Sequence, residues 1–120
     1  MLTDQIEYDM DATDRMFQVI GEKKIKNAQL NFAINDYTSL KLQYSQKNNN
    51  LLLNTDFEEV LGKKRPTVAE KEAYIETQLV TLKSELTIAK ENINSIKRDI
   101  DILNDELRAF ELKAQMKVQE

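Results

Sequence analysis

Four carboxylates stand at helical spacing near the start of the chain: Asp4, Glu7, Asp11 and Asp14. On one helix they form an acidic stripe that could hold a cation or imitate nucleic-acid phosphates. Charge stripes are usually solvated faces, and acids near a helix N-terminus suit its dipole, so the solvated face is the better reading. Asp9-x-Asp11 lacks the glycine and the distal glutamate of a calcium loop. Lys63, Lys64 and Arg65 form a short basic cluster suited to phosphate contact. Tyr37, Tyr44 and Tyr74 could stack on bases or anchor a partner, but Tyr37 and Tyr44 share a heptad-like face and read as packing residues. The apolar run Leu51, Leu52 and Leu53, with Phe57, either plugs the end of a helical hairpin or forms a docking patch. Burial is the better expectation for large apolar residues.

The missing residue types exclude more than the present ones suggest. The chain of 120 residues has no His and no Cys. The commonest general base and metal ligand is therefore absent, as are thiolate nucleophiles, disulfides and zinc knuckles. No phosphate-binding glycine loop or nucleophile elbow occurs. These features predict a non-enzymatic protein with no cofactor and no metal. No apolar run exceeds three residues, against about twenty for a membrane span. The expectation is a soluble, cytoplasmic protein. Two Gly and one Pro are too few for a turn-rich β-fold or a doubly wound sheet. The fold class is all-α.

The clearest element lies in the C-terminal half. Ile75, Leu82, Ala89, Ile96, Leu103 and Phe110 take d positions, and Leu79, Leu86, Ile93, Ile100 and Leu107 take a positions, in unbroken steps of four and three. This heptad core predicts one long helix over 67–118. Pro66 and the capping box Thr67-Val-Ala-Glu70 write its start. The N-terminal half, 1–47, reads as a less regular helical arm. Ile6, Met10, Thr13, Phe17 and Ile20 share one face, and Gly21 is a candidate kink. The pattern resumes with Ile25, Ala28 and Phe32, and with Leu30, Ala33, Tyr37, Leu40 and Tyr44. Asn48-Asn49-Asn50 reads as a helix end that opens a connector over 48–66. Within the connector, a second capping box, Thr55-Asp-Phe-Glu58, and Gly62 predict a short helix over 56–61.

The expected architecture is a single helical domain: two long helices closed as an antiparallel hairpin, with a short connector helix. The 75–110 helix also suits a parallel homodimer, since Glu85 then faces Lys90 of the second copy, although Glu106 faces Glu111. Val80, Ile88, Ile102, Leu112, Met116 and Val118 lie outside the a and d positions. They motivate a hairpin whose long helix also joins a dimer. Charge is segregated along the chain. Residues 1–22 carry six acids against Arg15, a net of −5, and residues 23–66 carry a net of +4, within a total of −4. That balance argues against a generic nucleic-acid coat and leaves only a local basic site.

The stretch Thr55–Ile75, with its Lys-Arg-Pro-Thr entry into a Lys/Glu-rich helix, resembles a segment of small uncharacterised helical proteins from phages and prophages of Gram-positive bacteria. The resemblance implies an accessory gene product in the host cytoplasm, and no activity. The expected function is coiled-coil protein–protein interaction, as an adaptor or inhibitor acting on a host or defence protein. Two alternatives stand beside it: a nucleic-acid accessory protein using the basic connector, and a virion structural or assembly protein.

Overall fold

The computed structural model describes residues 2–119, with side chains described from Thr13 to Met116. Helix α1 spans Leu2–Asn54, helix α2 Phe57–Leu61 and helix α3 Val68–Gln119. No strand occurs among the described residues. No helix there is long and apolar enough to cross a membrane.

The packing of α1 on α3 falls into two units: residues 33–92, and residues 1–32 with 93–120. In the 33–92 unit, Ile75 and Leu79 are buried, and Leu82, Leu86 and Ala89 are half-buried. They meet a line on α1 formed by buried Ala33 and half-buried Tyr37, Leu40, Tyr44 and Leu51. Lys47 Nζ crosses to donate a 3.2 Å hydrogen bond to the Gln78 carbonyl. In the other unit, Ile93, Ile96 and Leu103 are buried, with Ile100, Leu107 and Phe110 half-buried. Opposite lie Met16, Val19, Ile20 and Leu30, of which Val19 is fully buried. All eleven heptad positions thus face α1 within the chain. Full burial of an aliphatic side chain is worth about 1.5–3 kcal/mol. The a/d line is thus the side of α3 that packs within the chain.

Three expectations need correction. Gly21 does not break the arm, because α1 is continuous through it. Asn48-Asn49-Asn50 do not end the helix; α1 runs on to Asn54, so Leu51, Leu52 and Leu53 are helical rather than part of a connector. Half-buried Asn48 and Leu51 continue the inward line, and their packing outweighs the few tenths of a kcal/mol by which asparagine disfavours a helix. The connector helix starts at Phe57, with Asp56 rather than Thr55 as its cap: Glu59 N–H donates to the Asp56 carboxylate at 3.3 Å.

The turn from α2 to α3 is built from local bonds. Gly62 takes a left-handed conformation, φ 61°, in which Gly62 N–H donates to the Glu59 carbonyl and Lys63 N–H to the Glu58 carbonyl. This paired pattern closes a helix end and favours glycine. Arg65 is also left-handed, φ 56°, just before Pro66. At the start of α3 the capping box is complete. Glu70 N–H donates to Thr67 Oγ1 at 3.2 Å, and Thr67 N–H donates back to Glu70 Oε1 at 3.3 Å.

Candidate interaction surfaces

The inward line of α1 contains two lysines, Lys23 and Lys26, both half-buried. Lys26 pairs with Asp99 across the helices at 3.1 Å. Arg15 forks to both oxygens of Glu106, at 3.0 and 3.2 Å, and also reaches Glu22 at 3.2 Å. The Glu106 hydrogen bond raises the Arg15 pKa above its ordinary value, against a smaller opposing effect of desolvation. These pairs are half-exposed to solvent, so each contributes little to stability.

Because charged residues hold the inward line, apolar residues of α1 lie outside it. Phe17, Ile25 and Phe32 are 64%, 59% and 74% exposed. Of the face that carries Phe17 in the sequence, Thr13 and Phe17 are exposed, whereas Ile20 is half-buried on the side of α3. The side chains of Ile6 and Met10 fall outside the described residues. Helix α3 has its own outer residues: Val80, Ile88, Ile102, Leu112 and Met116 are all more than half exposed, as their places outside a and d predict. The side chain of Val118 falls outside the described residues. Ile25 and Ile102 flank an open groove of about 330 Å³ whose rim carries Arg15, Glu22, Lys26 and Asp99. A second groove, of about 590 Å³ in the 33–92 unit, runs past Ala33 and Ala89, with Ile88 beside it and Asp36 and Glu85 on its edges.

The other candidates are placed as follows. Asp14 is exposed on α1, and the side chains of Asp4, Glu7 and Asp11 lie outside the described residues. Leu52 and Leu53 are 52% and 81% exposed; only Leu51 turns inward, so the leucine run does not plug the hairpin end as a unit. Phe57 does pack there. Its ring meets Tyr74 edge-on at 6.1 Å, and Lys71 Nζ lies 5.5 Å from its centre. Tyr37 and Tyr44 are half-buried, with Lys41 Nζ 5.7 Å from the Tyr37 ring.

In the basic cluster, Lys63 is committed to Glu70 at 2.9 Å, while Lys64 and Arg65 are exposed. Lys63 and the two Thr67 donors hold the Glu70 carboxyl below the usual carboxylate range. Among the described residues no group of carboxylates is placed to hold a metal ion.

Comparison with protein-family models, with curated proteins and with solved structures returns no match for the chain.

Proposed function

We propose that this chain is a non-enzymatic coiled-coil interaction protein that binds another protein through the outer faces of its long helices. One observation carries the reading: both helices spend one apolar line on each other and keep a second apolar set, including Phe17, Ile25, Phe32 and Ile102, on the outside. A hairpin two helices deep has no third layer to cover that set. Exposed apolar residues grouped on one face mark sites of association. The mechanism is docking of a rigid helical face, with charged residues such as Arg15 and Lys26 at the groove rim supplying specificity. The resemblance of residues 55–75 to phage accessory proteins favours an adaptor or inhibitor as the form this takes.

The test is capture from host lysate with the tagged full chain, treated with nuclease and read by mass spectrometry. Wild type is compared with Phe17→Ser/Ile25→Ser/Phe32→Ser/Ile102→Ser. The expected result is a stoichiometric protein that survives nuclease and is lost with the variant, while the helical melting curve is unchanged. Recovery that disappears with nuclease, or that the variant retains, would overturn the reading; the first outcome would redirect attention to Lys64 and Arg65.

A further inference from the structure

The outer face of α1 has a spacing that selects one occupant. Phe17, Gly21, Ile25, Ala28 and Phe32 follow at steps of four, four, three and four. All five fall within one packing unit and off the inward line of α1; Phe17, Ile25, Ala28 and Phe32 are exposed and Gly21 is half-buried. Large and small residues alternate along them. The order is nearly the same read backwards, so a two-fold axis between residues 24 and 25 sets each Phe17 against Phe32 of a second copy. The same axis sets Gly21 against Ala28 and brings the two Ile25 side chains together. A two-fold interface requires this kind of self-complementary patch. Alternating sizes let facing layers interdigitate.

Gly21 adds to the case. A Cβ built there meets nothing within 4 Å, so no contact inside the chain requires glycine in mid-helix. Close approach of another backbone is one use that repays such a residue.

Charge disfavours the parallel direction. Residues 1–22 carry a net of −5, whereas residues 23–47 carry Lys23, Lys24, Lys26, Lys41 and Lys47 against Asp36, a net of +4. Parallel pairing of two α1 helices would lay the acidic segments side by side. Antiparallel pairing about that axis instead lays residues 2–22 along residues 27–47 of the second copy, whose Lys41 and Lys47 against Asp36 give a net of +1, although it gathers Lys23, Lys24 and Lys26 of both copies near the axis.

We propose that a second copy of this chain packs antiparallel on the outer face of α1, centred on Ile25. The proposal rests on the interaction reading above and names one of its partners. Phe17, Ile25 and Phe32 offer roughly 300–400 Å² per copy, about half of the ~800 Å² per partner of a standard interface. The dimer is therefore weak and concentration-dependent.

Two measurements on the full chain test it. In sedimentation velocity, wild type rises from the 14.0 kDa monomer towards twice that mass between micromolar and near-millimolar concentration. Phe17→Ser/Phe32→Ser stays monomeric, and Val80→Ser/Ile88→Ser behaves as wild type. The chain has no cysteine, so introduced thiols report pairing without background. When Gly21→Cys and Ala28→Cys chains are mixed and oxidised, the mixed disulfide dominates. A wild type that stays at 14.0 kDa, a Phe17→Ser/Phe32→Ser chain that still associates, or a dominance of like-with-like disulfides would each overturn the proposal. A monomer that still captures a nuclease-resistant protein would overturn this proposal alone. A dimer formed as described that captures none would support it and count against the wider reading.

Discussion

Leu79 and Ile88 are aliphatic residues of the same helix with opposite fates: Leu79 is 2% exposed and Ile88 is 63% exposed. Replacing each with alanine separates the two faces of α3. For a buried leucine the loss of transfer energy and the cavity left behind cost 2–5 kcal/mol. The seam is only two helices deep and its sides are open, so partial collapse is easy and about 2–3 kcal/mol is expected. Ile88→Ala removes surface that is already wet and should stay within about 0.5 kcal/mol. An unfolding entropy of about 2.1 cal/mol/K per residue gives about 0.25 kcal/mol/K for a chain of 120 residues. Leu79→Ala should therefore lower Tm by about 8–12 °C, and Ile88→Ala by less than about 2 °C. The assay is thermal unfolding followed by far-ultraviolet circular dichroism at low protein concentration. Equal losses from the two substitutions, or a larger loss from Ile88→Ala, would mean that α3 does not turn this stripe towards α1.

Four further outcomes follow from local structure. Gly62→Ala forces a side chain into the left-handed conformation that ends α2 and should cost about 1–2 kcal/mol, measured by urea denaturation. Thr67→Ala removes the cap of α3 and should cost about 1 kcal/mol in the same assay. The Glu70 pKa is lowered in the folded chain, so its stabilising contribution is complete above the unfolded carboxylate pKa and is lost as pH falls through the folded value. Glu70→Gln should flatten that acid-side dependence, read as Tm against pH. Gly21→Ala adds helix propensity where a Cβ meets no neighbour and should stabilise the dilute chain by about 0.5–1 kcal/mol, read by thermal melting.

Helix α3 was legible because every a and d position is apolar, from Ile75 to Phe110, and no charged residue interrupts the spacing. The same alternation runs along α1 through residues 16, 19, 23, 26, 30, 33, 37, 40 and 44. Its 30–44 part reads directly from Leu30, Ala33, Tyr37, Leu40 and Tyr44, but before residue 30 it is hidden, because Lys23 and Lys26 occupy inward positions while Phe17 and Ile25 lie outside. Counting backwards from Leu30 in steps of four and three would have found the line. Before residue 30, apolar content alone pointed to Phe17 and Ile25 instead, since a lysine can lay its stem along a seam and keep its ammonium on a carboxylate such as Asp99. The end of α1 was misplaced for a related reason: three asparagines favour a stop locally, but the packing of Leu51 carries the helix past them. Among the candidate contacts, the exposure of Val80, Ile88, Ile102, Leu112 and Met116 followed from their heptad positions. The outer face of α1 could be recognised only after its inner face was known.

The outer faces are free to bind only if α1 and α3 close on each other within one chain. Spin labels on Asp14→Cys and Arg108→Cys, exposed positions on the two helices of the same unit, test this by pulsed dipolar spectroscopy. One short distance that persists in a large excess of unlabelled chain is the predicted result. A dipolar signal that fades with that dilution would show the helices pairing between chains and would contradict the account.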